Sequence, residues 1–138
     1  MTDDRFELRP IGHVESPLTD PATAPKQGHE GGAAAWLVFA DGVGAALADI
    51  EPGDDLTLLT WLDRADRDVL TVHPRDDPAQ PLTGVFSTRS SDRPNPIGLH
   101  RVTVTDVDGL RIRVTALEAI DGTPIVDVKP VIHRGGDE

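Results

Sequence analysis

The chain reads as a mainly β protein: a single-domain, mixed or antiparallel β-barrel of about seven strands with one or two short helices. Three observations carry that expectation. Apolar residues recur at a period of two over several short runs, the mark of half-buried strands. The runs succeed one another through Gly-, Pro- and Asp-rich turns without regular alternation with helical stretches, which favours antiparallel pairing closed or nearly closed on itself. At 138 residues the chain has the length of one domain, and a chain of that size buries about two-thirds of the surface that it exposes when unfolded. The barrel domain is assigned to 1–134, with a disordered tail over 135–138.

Taken in order, Phe6–Ser16 (FELRPIGHVES) alternates loosely. It reads as an edge or bulged strand interrupted by Pro10, which has no N–H to give to a ladder. Pro17–Gly32 (PLTDPATAPKQGHEGG) has almost nothing to bury and reads as a loop. Ala33–Ala40 (AAAWLVFA) is apolar and predicts a buried strand. Asp41–Ile50 offers Asp41 as an N-cap and apolar residues at helical spacing, predicting a short helix. After the turn EPGDD, Leu56–Asp63 (LTLLTWLD) and Asp68–Pro74 (DVLTVHP) read as strands. Arg75–Pro81 reads as a loop and Leu82–Ser87 (LTGVFS) as a short strand. LHRVTVTDV and LRIRVTALEAI alternate cleanly around Asp108 and Gly109, the strongest hairpin signal in the chain. Asp121–Pro130 (DGTPIVDVKP) predicts a turn and a last strand.

Composition narrows the function classes. Thirteen basic and 24 acidic residues give a net charge of −11. This argues against broad nonspecific nucleic-acid binding, which depends on neutralising phosphates, while leaving room for a local basic patch. There is no cysteine, hence no disulfide framework and no thiolate metal site. The start, MTDDRFELRP, lacks the apolar core of a signal peptide, and no apolar run reaches the length of a membrane span. A cytoplasmic location without membrane contact is the expectation. The five histidines are scattered without zinc-ligand spacing, so no metal is expected. No G-x-G-x-x-G links a strand to a helix, and no G-x-S-x-G elbow is present. Asp63–Asp68 (DRADRD) reads as a solvated charged turn, and Trp36 and Trp61 sit in strand patterns suited to core or interface.

Three segments stand out. In STRSSDRPNPIGLH, Ser87–His100, Pro94 and Pro96 fix two φ angles, Gly98 permits close backbone approach, and Arg89 and Arg93 offer planar forks for carboxylate or phosphate. From Ser87 to Arg101 three arginines face one aspartate, an excess of positive charge in an acidic chain. Either a rigid connection between strands or a binding loop accounts for this pattern. In DGTPIVDVKP, Asp127 and Lys129 share strand parity, and an ordinary turn with a surface ion pair explains it as well as a site does. In APKQGH, Gln27 sits in a polar, glycine-flanked stretch.

GVFSTRSSDRPNPIGLHRV followed by DGTPIVDVKP, with IGHVESP and PKQ upstream, resembles the TrmO/TsaA-like family. Four elements match in order over nearly the whole chain. The resemblance implies a β-barrel methyltransferase that uses S-adenosyl-L-methionine, forms homodimers with the site near the subunit boundary, and methylates N6 of threonylcarbamoyl-adenosine 37 in tRNA. It implies cofactor contacts from Gln27 and Gly28, from Leu62 and Asp63, and from Arg89, Arg93, Asn95, Pro96, Ile97, Gly98 and Leu99. Gly122, Thr123, Pro124 and Ile125 match a second cofactor loop. Asp121 and Asp127 are candidates to accept the proton released by the acceptor, and Lys26, Arg101 and Lys129 are candidates to hold substrate. Two departures are visible. The F-S-H of many members is absent, and Leu62-Asp63 stand where an aromatic-His pair is expected. The sequence ends soon after DVKP, which reads as a short form without the C-terminal domain of longer relatives. A different small-molecule or nucleoside acceptor, or a non-catalytic cofactor-binding dimer, are the other readings.

Overall fold

Leucines at every second position make Asp55–Trp61 (DLTLLTW, β3) a strand with one dry face: Leu56, Leu58 and Thr60 are buried, and the residues between them half-buried. The computed structural model describes residues 4–19 and 33–132, and across them this alternation builds a closed barrel. Its other strands are Gly12–Glu15 (β1), Ala33–Phe39 (β2), Ile97–Asp108 (β6), Arg111–Leu117 (β7) and Pro124–Pro130 (β8). The order around the barrel is β1-β2-β7-β6-β3-β8, closing from β8 back to β1, with every pairing antiparallel. Thr71–Val72 (β4) and Thr83–Gly84 (β5) pair only with each other as a separate ribbon.

The mainly β, antiparallel barrel expected from the sequence is what folds, with six strands in the wall rather than about seven. Two predicted wall strands shrink to the ribbon, since DVLTVHP and LTGVFS supply too few apolar residues to cover a barrel; Leu70 and Leu82 stay 66% and 62% exposed. The first strand is shorter than Phe6–Ser16. Residues 4–10 are exposed, Phe6 at 91%. Asp41–Leu47 is a 3₁₀-helix capped at Ala40 without any side-chain bond, so Asp41 is its first residue and not its N-cap. Two glycines in DGVGAAL disfavour a regular α-helix. The hairpin lies where Asp108-Gly109 points. Asp108 pairs with Arg111, and Gly109 takes the positive φ (59°) at the first loop position.

The interior is filled by Val14, Leu37, Leu58, Val104, Ile112, Val114, Leu117 and Ile125, all at most 1% exposed, with Leu47 closing one end. At the opposite end, which receives the exit of β3, the entry of β6 and the exit of β7, the filling turns polar: Thr60 and His100 are buried there. β7 reaches that end with an irregularity. Its pairing with β2 shifts between Ala33 and Ala35, Ala116 takes a left-handed φ of 56°, and the buried parity moves from Val114 to Leu117. A bulge of this kind re-aims the side chains that follow it.

Candidate functional site

A cavity of about 870 Å³ opens at the polar end of the barrel, within the few hundred to about a thousand Å³ usual for small-molecule sites. Four segments line it. They are Leu62–Ala65 after β3, Val72–Asp76 beyond the ribbon strand, Ser87–Arg93, and the start of β6 from Ile97 to His100; Glu118, Ala119, Ile120 and Thr123 complete the wall.

The Pro-rich loop is held rigid by contacts that span the sequence. The Arg93 guanidinium donates to the carbonyls of Val85 (2.6 Å), Ser90 (2.9 Å) and Thr88 (3.2 Å), so it is a strut for the loop's own backbone. Arg67 donates from Nε to the Pro94 carbonyl (2.6 Å) and from Nη2 to Asn95 Oδ1 (2.8 Å), while its guanidinium lies 5.1 Å over the Trp61 ring. Asp92 Oδ1 accepts from the Asp66 amide (2.8 Å), and the Arg93 amide donates to the Asp66 carbonyl (3.1 Å). DRADRD is therefore a clamp on the signature loop, and the expectation of a merely solvated turn is corrected. Bonds from charged groups to backbone are roughly twice as strong as neutral ones, and here they fix the prolines and Asn95 in place. Arg89 makes no hydrogen bond or ion pair with any described residue, and its exposed guanidinium lines the cavity.

Beneath the loop, Gly98 sits directly on a buried polar chain. A Cβ at this position would lie 2.4 Å from Thr60 Oγ1 and 2.7 Å from His100 Nε2, so glycine alone fits without a shift of these side chains. Thr60 Oγ1 and His100 Nε2 are 2.7 Å apart, and His100 Nδ1 bonds Glu118 Oε1. A carboxylate only accepts, so Nδ1 carries the hydrogen; in the neutral ring Nε2 then accepts from the Thr60 hydroxyl. His100 and Glu118 both line the cavity. Neither was singled out from sequence. The available signal was parity, since His100 falls on the same inward face as Val102 and Val104.

Of the residues expected to touch a cofactor, the structure gathers Leu62, Asp63, Arg89, Arg93, Ile97, Gly98, Leu99 and Thr123 around the cavity. Asn95, Pro96, Gly122, Pro124 and Ile125 are not in its lining. Asn95 is held by Arg67, Pro96 is fully buried with its carbonyl on the Leu62 amide (2.8 Å), and Ile125 belongs to the core. Gly122 adopts φ 85° and donates its amide to the Val14 carbonyl (2.7 Å), placing Thr123 against the wall. Asp121 accepts from the Ser16 amide (3.1 Å) through Oδ1. Asp127 accepts from the Val128 amide (2.9 Å) and faces Lys129 at 3.3 Å. Neither carboxylate reaches the cavity lining. Arg101 and Lys129 flank Thr57 from the two neighbouring strands and are exposed. Lys26, Gln27 and Gly28, the loop that holds them, and the tail 135–138 lie outside the described residues. Among the described residues no three His, Cys, Asp or Glu gather as a metal site would need, and no helix is long and apolar enough to cross a membrane.

Comparison with known proteins follows the same segments. The sequence pattern of the tRNA-methyltransferase O N-terminal domain matches residues 13–135. A protein of Archaeoglobus fulgidus described as an S-adenosyl-L-methionine-binding protein is 40% identical over 122 residues, covering 88% of this chain and 86% of that one. A second from the same organism, described as a probable S-adenosyl-L-methionine-binding protein, is 42% identical over 124 residues, covering 90% of this chain but 33% of the relative. A crystal structure of TrmO from Pseudomonas aeruginosa superposes with a TM-score of 0.72 at 25% identity, over 93% of this chain and 56% of that one. The chain thus spans a third of the one archaeal relative and little more than half of the solved TrmO chain. With the pattern matched from β1 past β8 and the same barrel in solved members, the chain belongs to the tRNA-methyltransferase O N-terminal domain family.

Proposed function

We propose that this chain is an S-adenosyl-L-methionine-dependent methyltransferase, that the cofactor occupies the cavity at the polar end of the barrel, and that the acceptor is N6 of threonylcarbamoyl-adenosine 37 in tRNA. One observation carries the reading: the cavity is walled by the stretches that hold the family signature, Ser87–Arg93 and Ile97–His100, together with Thr123 of the second motif.

The donor set fits the cofactor's chemistry. Arg89, with no partner among the described residues, suits its carboxylate. Asp63 suits its cationic groups, and Leu62, Ile97 and Leu99 supply apolar wall. When bound, the cofactor supplies an electrophilic methyl group. The protein's part in an in-line displacement is alignment, and a loop locked by Arg67, Arg93 and two prolines meets that demand without ordering cost at the moment of reaction. Asp121 ties the second motif to β1 through Ser16, and Asp127 with Lys129 orders β8 beneath it, so these residues serve position. Arg101 and Lys129 stand on either side of Thr57, on the two strands that flank β3, and offer basic groups to a phosphate backbone.

Homodimerisation in the cytoplasm belongs to the same reading. Leu82, Phe86, Ile97 and Leu99 are 62%, 81%, 41% and 47% exposed, and the last two also line the cavity, an arrangement suited to a partner covering the mouth. A second acceptor class, a small or cationic molecule, is favoured by the net charge of −11 and by the carboxylates that balance the arginines in the wall. Calorimetry with S-adenosyl-L-methionine and S-adenosylhomocysteine tests the cofactor; micromolar binding is expected, and absence of binding to either rejects the reading. Mass spectrometry of nucleosides from tRNA incubated with protein and cofactor then decides the acceptor. Methylated threonylcarbamoyl-adenosine supports the tRNA reading, and its absence with binding intact favours the small acceptor.

A further inference from the structure

We propose that His100 and Glu118, held by Thr60, form the proton-accepting pair of the methyl-transfer site. The inference rests on the methyltransferase reading above and concerns His100, the last residue of the signature stretch, and Glu118, which lies in neither motif.

A hydrogen-bonded imidazole and carboxylate inside a barrel is an unusual filling. Ionisable pairs lose hydration on burial, and an apolar replacement is often neutral or stabilising. Here the side chains of His100 and Glu118 are 5% and 12% exposed, yet both line the cavity. Three features of the backbone serve the pair. Gly98 leaves the space that Thr60 and His100 fill. The shifted register of β7 and the left-handed Ala116 lie directly before Glu118. Strained backbone of this sort persists where surrounding structure holds it, and it clusters at functional sites. Thr60 completes the chain by taking the second ring nitrogen, which fixes the orientation of the imidazole.

The geometry leaves one carboxylate oxygen, Glu118 Oε2, without a partner among the described residues, in a residue that lines the cavity. A base there removes the acceptor's proton directly, with His100 sharing it. The acceptor N–H bond breaks and its electron pair forms the new N–CH₃ bond. The methyl–sulfur bond breaks with its pair remaining on sulfur as a thioether, and the proton passes to the Glu118–His100 pair. By contrast, Asp121 and Asp127 lie outside the lining, Asp121 Oδ1 held by the Ser16 amide and Asp127 by the Val128 amide and Lys129. The pair's surroundings are charged in both signs. Asp63 and Arg64 face it from the turn after β3, and Arg89, Asp92 and Arg93 from the signature loop. His73, Arg75 and Asp76 stand on the segment beyond β4.

A base within hydrogen-bond reach of the acceptor nitrogen is also close to the sulfonium, because that nitrogen approaches the methyl carbon to about 3 Å. Positive charge there opposes protonation of the pair. Binding of S-adenosyl-L-methionine should therefore release more protons than binding of S-adenosylhomocysteine, which lacks the charge. The experiment is calorimetry of both molecules in buffers of different ionisation heat, across about pH 5 to 9, on wild type, His100→Gln and Glu118→Gln. The expected result is an excess proton release with the sulfonium that both variants abolish, with affinity for S-adenosylhomocysteine changed less than about threefold. With threonylcarbamoyl-adenosine tRNA, turnover should fall at least about 100-fold in both variants and recover as pH rises and hydroxide replaces the lost base. Equal proton release for the two molecules, or an excess that survives in His100→Gln, overturns the proposal. So does unchanged turnover. Failure of wild type to bind either molecule rejects the methyltransferase reading and this one with it, whereas an excess release without tRNA methylation leaves the pair supported and rejects only the acceptor. Should His100→Gln fail to fold, Glu118→Gln and Thr60→Val carry the same comparison.

Discussion

Two arginines four residues apart, equally promising in the sequence, have opposite fates. Arg93 spends its donors on three backbone carbonyls of its own loop, while Arg89 has no described partner. Substitution should separate them. Arg89→Ala is expected to weaken S-adenosyl-L-methionine binding at least about tenfold with an unchanged melting temperature, since only a ligand contact is lost. Arg93→Ala is expected to cost about 2–3 kcal/mol of folding stability, because three part-buried carbonyls lose a charged donor. Calorimetry and chemical denaturation read the two effects, and a reversed pattern would exchange the roles. Gly98→Ala belongs at this scale too. Its Cβ would meet Thr60 Oγ1 at 2.4 Å, so Thr60 or the strand must shift. A loss of about 1–3 kcal/mol is expected from overpacking, measured by denaturant unfolding.

Among elements, the telling relation is between the turn after β3 and the signature loop. They meet through Arg67, Asp66 and Asp92 at sequence separations of 26 to 28 residues. Their action as one unit predicts that Arg67→Ala and Asn95→Ala are non-additive, with a coupling of about 0.5–1.5 kcal/mol in a double-mutant cycle; simple additivity would show the contacts to be independent. This relation also marks how far the sequence could be read. The β6–β7 hairpin, the strand parity of β3 and the stiffness of Pro94-Asn95-Pro96 are local properties, and each was legible in a short window. The clamp was not, since nothing within DRADRD distinguishes an arginine bound to a distant carbonyl from one in water. Nor was the Thr60–His100–Glu118 chain, whose members come from β3, β6 and the end of β7, the last re-aimed by a bulge that alternation does not announce. The ribbon was overestimated for a related reason. Residues with strand propensity form a barrel wall only if enough neighbouring apolar surface waits for them.

At the scale of the whole molecule, the barrel is a frame with its chemistry at one end, and ligand binding should reach the frame. S-adenosyl-L-methionine at about a hundred times its dissociation constant is expected to add about 2.7 kcal/mol to stability. For a domain of this size that corresponds to a rise in melting temperature of roughly 8–13 °C; no rise would show that the cofactor does not bind the folded state. Assembly is testable at the same scale. Phe86→Asp places charge in the exposed apolar group around the mouth. It should shift sedimentation toward the monomer, and an unchanged value would remove this face from the contact.

The barrel is closed by its shortest wall strand. β1 pairs with β8 over two residue pairs, whereas β3 pairs with β6 over seven. The closure is therefore a seam, and a seam is where a cylinder opens first. The bonds that stitch it are Ile11 N to Ile125 O, Val14 N to Thr123 O and Gly122 N to Val14 O. Their amides should exchange with solvent sooner than those of the β3–β6 ladder. Because Thr123 stands both in the seam and in the cavity wall, a ligand that bears on it also laces the cylinder shut, and slowed exchange at Ile11 and Val14 would report occupancy.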